Sequence, residues 1–156
     1  MTLDLSTIMF IAVLAPGIAG LITLGLGRAR FIAGAVASVA SFVSLVSAVA
    51  LMYKLNVEGV VHEVVWHLSL ANTAINFEVT RLNALSIFFI ALVGFLTTLY
   101  SINYMVKYDG KGYYYTLILW SMSAAMVALT SMNWVTFLAF WEVCNLTLFF
   151  LVRAGG

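Results

Sequence analysis

The sequence predicts an all-α membrane protein: five transmembrane helices with one short extramembrane β-hairpin between the second and the third. Three observations lead there. The chain is 156 residues long, 64% hydrophobic and only 8% charged, against about 25% charged for an ordinary soluble domain. Its charges bracket long uncharged runs: 23 residues between Asp4 and Arg28, 23 between Arg30 and Lys54, and 25 between Arg81 and Lys107. Each exceeds the ~20 residues that a helix needs to cross a bilayer. The 41 residues between Lys111 and Arg153 contain a single charge, Glu142. As one helix they would be ~62 Å long, about twice the ~30 Å hydrocarbon core. They must cross twice, and the polar break at Ser131-Met132-Asn133 is where the chain turns.

Taken in order, the helices are expected at about 6–27, 31–53, 82–106, 113–131 and 133–152, and the hairpin at about 59–80, all in one transmembrane domain covering residues 1–156. Asp4 and the lack of Lys or Arg before helix 1 argue against a cleaved signal peptide, which needs a positive n-region. Helix 1 carries Pro16-Gly17 near its centre, where the missing amide should kink or locally unwind it. Helix 2 carries Ser38, Ser41, Ser44 and Ser47 with Ala37, Ala40 and Ala48 beside them. Such small residues read as a surface for close helix approach more readily than as a pore lining.

Residues 55–80 differ in kind. Val60 to Leu68 is rich in β-branched and aromatic residues, and Ala74 to Thr80 alternates apolar with polar, with Ala71-Asn72-Thr73 between them. This is the pattern of a β-hairpin, here lying on the membrane surface. A five-residue spacing on a regular strand would put His62 and His67 on opposite faces. With no third ligand beside them, no metal site is expected.

Helices 4 and 5 follow from the 41-residue run, and Glu142 falls near the middle of helix 5. A carboxylate at that depth costs roughly 2.5–3.5 kcal/mol on insertion scales, and such acids usually serve ion or proton movement. The other reading is a protonated, hydrogen-bonded structural carboxyl, since desolvation favours the neutral acid. Asn145, one turn on, could bond the carboxyl or hold a water beside it. Thr147 should bond its own backbone, and Cys144 reads as a small packing residue.

Arg28, Arg30, Lys107, Lys111 and Arg153 fall on one side of the membrane, and Lys54 and Arg81 on the other. The positive-inside rule then puts the N-terminus and hairpin outside the cell membrane and the C-terminus in the cytoplasm. No Lys/Arg run supports a nucleic-acid partner. No glycine-rich phosphate loop, Ser/His/Asp set or Cys/His cluster supports soluble catalysis or a bound cofactor.

Phe140-Trp141-Glu142-Val143-Cys144-Asn145-Leu146 resembles the Trp-Glu helix of the antiporter-like membrane subunits. These occur in respiratory complex I, Mrp-type multisubunit cation/proton antiporters and membrane-bound energy-converting hydrogenases. Two further segments agree in order and spacing: Leu82-Asn83-Ala84-Leu85-Ser86-Ile87-Phe88-Phe89, and Tyr100-Ser101-Ile102-Asn103-Tyr104-Met105. They resemble the two ends of the family's third helix, with Asn83 where the family usually has Asp. The resemblance covers nearly the whole chain and implies the N-terminal five helices of a longer bundle. It implies a membrane-arm subunit of a multisubunit ion-translocating complex, either a redox-driven pump or a cation/proton antiporter.

Within that family the glutamate at the Glu142 position works with a lysine two helices later, which other helices must supply here. The resemblance thus marks Glu142, with Asn145, for H⁺ or Na⁺ coupling. It implies antiporter-like and other membrane subunits and lipid as partners, and an oxidoreductase or antiporter complex in which this chain is non-catalytic and holds no redox cofactor. The alternative is a truncated accessory subunit that links or seals larger ones without an ion path of its own.

Overall fold

A computed structural model describes residues 4–26, 30–57, 62–70, 73–104 and 111–155. Arg28, Val60, Ala71, Asn72, Met105 and Lys107, all used in the sequence reading, lie outside the described residues. The order is α1 (Leu5–Gly25), α2 (Arg30–Val57), β1 (His62–Leu70), β2 (Thr73–Thr80), α3 (Arg81–Tyr104), α4 (Lys111–Thr130) and α5 (Trp134–Gly155). All five helices are long and apolar enough to cross a membrane, so the five-helix, one-hairpin membrane architecture holds. Helix α2 continues past Tyr53 to Val57, taking Lys54 into its last turn, where a cation complements the negative end of the helix dipole. Between α4 and α5 only Ser131, Met132 and Asn133 remain as the turn.

Helix α4 is the hub. It touches α1, α2, α3 and α5, whereas α5 packs to any extent only against α4. Small side chains permit the close approaches around it: a Cβ added at Gly20 would collide with the Trp120 ring, and one at Gly94 with the Met122 side chain. On α2 the buried residues include Ala33, Ala37, Ala40 and Ala48 together with Ser41 and Ser44. A step of three precesses by ~60° per step at 3.6 residues per turn. The four serines therefore cannot share one face, and the middle two are the ones that reach the core.

Helix α1 runs unbroken through Pro16 instead of unwinding there. Proline at position 16 leaves the Ala12 carbonyl without its i+4 amide donor. The Ser44 hydroxyl donates to that carbonyl at 2.6 Å, and the Ser123 hydroxyl to the neighbouring Val13 carbonyl at 2.9 Å. Further along α1, the Trp120 indole N–H donates to the Gly17 carbonyl at 3.2 Å. The Thr23 and Thr116 hydroxyls lie 3.0 Å apart. Between α2 and α3, Ser41 and Thr98 pair at 2.8 Å. A buried backbone acceptor must find a donor, and here hydroxyls from α2 and α4 serve α1.

The hairpin packs at the end of the bundle where α2 ends and α3 begins. Strands β1 and β2 pair antiparallel from His62↔Thr80 to Leu70↔Thr73, with an irregularity between Val64 and Trp66 that leaves Val65 without a partner. Thr73, expected in the turn, is already in β2. Phe77 and Val79 are buried while Asn76, Glu78 and Thr80 are less so, the alternation of a strand with one face on a core. The irregularity corrects the expectation for the two histidines. His62 stands opposite Thr80 and His67 opposite Asn76, an even number of residues apart on β2. One extra residue has cancelled the odd spacing on β1, so these two register positions are not on opposite faces.

Candidate functional site

The candidate site is built from α5, and its geometry follows from which residues α5 turns toward α4. Thr136 and Thr147 are buried, and Phe140, Cys144 and Leu151 are partly buried. These five recur at steps of three and four, which is one stripe of a helix. Within the stripe the Cys144 thiol lies 3.9 Å from the Ser121 carbonyl on α4, the packing position expected for it. The Thr147 hydroxyl donates to the Cys144 carbonyl of its own helix at 2.8 Å, as the sequence reading expects.

Glu142 is two residues from Cys144, ~200° round the helix. It therefore stands nearly opposite the stripe, and it is exposed. Asn145 is exposed as well, one turn along on the same outward side. Around them Leu138, Leu146 and Phe149 are 54%, 55% and 62% exposed, so the carboxyl is set in an apolar face that none of α1–α4 covers. Among the described residues no hydrogen bond or ion pair reaches the Glu142 carboxyl, and Glu142 and Asn145 are not bonded to each other. The described cations lie at span ends: Arg30 opening α2, Lys54 in its last turn, Arg81 opening α3, Lys111 opening α4 and Arg153 in the last turn of α5.

Aromatic rings flank the site toward the N-terminal end of α5. Trp134 meets Phe137 edge-on with centroids 6.2 Å apart, and Phe137 stacks on Trp141 at 5.8 Å. Trp134 and Trp141 are both exposed, as anchors near a membrane interface or a helix contact would be. Two clefts run beside α5 where it leans on α4. One, of about 230 Å³, is lined by Met9, Val13, Phe77, Ser123, Thr130 and Phe140 among others. The other, of about 470 Å³, is lined by α3, α4 and α5 residues including Val93, Thr97, Ser121 and Cys144. In the second cleft the Thr97 hydroxyl donates to the Val93 carbonyl and the Ser121 hydroxyl to the Ile118 carbonyl. Both hydroxyl protons are thus spent within their own helices. Among the described residues no three His, Cys, Asp or Glu side chains gather as metal ligands would.

Sequence reasoning missed the hydroxyls that serve α1. Ser44 read as a small packing residue and Ser123 drew no reading at all, and the one available signal was Pro16, which announces a carbonyl in need of a donor.

Residues 66–115 match the family described as NADH-Ubiquinone oxidoreductase (complex I), chain 5 N-terminus. The matched stretch runs from β1 through β2 and α3 into the start of α4. It contains the Leu82–Phe89 and Tyr100–Met105 motifs, while the Trp141-Glu142 motif lies beyond it. No curated protein matches the chain. Over residues 66–115 the chain is similar to the N-terminal part of that family, and this supports an antiporter-like N-terminal membrane domain.

Proposed function

We propose that this protein is a membrane-arm subunit of a multisubunit, ion-translocating complex, and that Glu142 binds or relays the transported H⁺ or Na⁺. The family match supports the first part, because its description names a subunit of a redox-driven membrane complex. The observation that carries the second is the placement of Glu142 on the face of α5 that the other four helices leave uncovered. An acid buried among α1–α4 with its hydrogen bonds satisfied would be a structural group. An acid turned outward at mid-membrane depth, with no partner among the described residues, needs a donor, a cation or water from elsewhere. Helices outside this set of five, with a basic or polar group at that depth, meet the requirement. In this reading the chain itself holds no redox cofactor and serves coupling, not electron transfer.

The sidedness belongs to the same proposal. The hairpin end of the bundle, with Lys54 and Arg81, faces outward, and the C-terminal end of α5, with Arg153, faces the cytoplasm, as the excess of Lys and Arg on that side requires. Single-cysteine labelling in intact cells tests it: an impermeant reagent should reach Asn72→Cys and not Asp109→Cys, and the reverse overturns it. The partner claim is tested by a photo-crosslinking residue at Leu138 or Phe149 in the native complex. Crosslinks to another helix are expected, and crosslinks to lipid alone would leave the accessory-subunit reading in place.

A further inference from the structure

Helix α5 presents a mechanical problem. One line of side chains against α4 holds it, so it could roll or tilt about that line, and Glu142 would swing with it. The structure shows a second attachment at its outer end. The Met132 N–H, in the three-residue turn before α5, donates to the Asn76 carbonyl of β2 at 3.0 Å. Ser131 of the same turn forms an isolated antiparallel bridge with Phe77. Phe77 is buried in the core cluster and lines the 230 Å³ cleft together with Phe140 of α5.

Strand β2 is in turn locked to α3. The strand ends at Thr80 and the helix starts at Arg81 with no loop between them. The Thr80 hydroxyl accepts the Asn83 backbone N–H at 3.1 Å, an N-cap on the third helical residue. The Asn83 side-chain amide reaches back to donate to the Glu78 carbonyl at 3.3 Å. A carboxylate at position 83 has no proton to donate there and would face a carbonyl oxygen.

We propose that the hairpin is a strut. Through the Met132–Asn76 bond and the Phe77–Ser131 bridge, β2 ties the outer end of α5 to α3, a helix that α5 does not itself pack against, and the Thr80/Asn83 lock holds that tie stiff. The strut sets the roll of α5 and with it the direction in which Glu142 points. This inference rests on backbone geometry and does not require that Glu142 couples ions.

The test is amide hydrogen exchange of the purified native complex, followed over Ser131–Phe137 and over β2. In the unmodified protein the Met132 amide should be protected to the same degree as the β2 amides, because both open in one event. Met132→Pro removes the donor and should speed exchange of Trp134–Phe137 about fivefold, the worth of one net backbone hydrogen bond. Met132→Ala keeps the N–H and should leave that rate unchanged. Proline also restricts the backbone of the turn itself, so the second variant lies away from it. Asn83→Asp removes only the side-chain donor, and should speed exchange of both β2 and Met132. A Met132 amide exchanging at the free-peptide rate in the unmodified protein would overturn the strut. So would an Asn83→Asp variant in which β2 opens faster while Met132 and α5 keep their original rate.

Discussion

Helices α4 and α5 are neighbours of similar length and similar apolar composition, yet 56% of the α4 span is buried against 6% of the α5 span. The difference lies in where their polar groups point. On α4, Thr116, Trp120 and Ser123 each donate to a carbonyl of α1, so its polar atoms hold the bundle together. On α5 the polar groups divide. Cys144 and Thr147 face α4, and Glu142 and Asn145 face away from everything in the bundle. In a membrane the hydrophobic effect does not bring helices together, and close contact with shared hydrogen bonds does. A helix whose polar groups are spent inward is structural. One that keeps a carboxyl and an amide facing outward is reserved for something else.

The largest effect should come from breaking the α4 side of this contrast. Gly20→Val would drive a branched side chain into Trp120 and pull the indole off the Gly17 carbonyl. Overpacking of this kind costs about 1–3 kcal/mol, and thermal unfolding of the purified protein should show it. Leu138→Val on the outward face of α5 should change stability by no more than ~0.5 kcal/mol in the same assay. Equal losses from the two would mean that α5 is as tightly held as α4.

Ser44→Ala should come next, at about 1–3 kcal/mol, because it strands the Ala12 carbonyl that Pro16 has already deprived of its own donor. Pro16→Ala restores an amide at that place. The double variant should therefore lose less than the two single changes added together, and a double-mutant cycle in unfolding experiments measures the coupling directly. Strict additivity would show that Ser44 is packing only. A smaller loss, about 0.6 kcal/mol, is expected for Thr98→Val, which removes one interhelical hydroxyl pair with Ser41.

These comparisons also show what the sequence could disclose. The five spans were legible because charges bracket apolar runs of membrane length, and the hairpin because β-branched residues and alternation replace those runs between Val60 and Thr80. The depth of Glu142 followed from counting along the last run. The burial of each face was not legible. When Leu, Phe and Ala cover a helix all round, the pattern that separates inside from outside in a soluble protein is gone, and α4 and α5 read alike. Nor was the irregularity at Val65 visible, since one extra residue in a strand leaves no mark on its composition. The hydroxyls at Ser44 and Ser123 became interpretable only once the fold had set them beside the carbonyls of Ala12 and Val13.

The most direct measurement is ion transport by the assembled complex carrying Glu142→Gln, normalised to complex abundance. The amide fills the space of the carboxyl and keeps hydrogen-bonding capacity, and it can neither bind nor release a proton. Assembly should be unaffected, because the amide has the size of the carboxyl and can still hydrogen-bond across the contact. Coupled transport should fall by at least an order of magnitude if the carboxyl titrates in the cycle. Full transport by the Gln complex would contradict the coupling role, and Glu142 would then be a silent acid on the surface by which the subunit joins its neighbours.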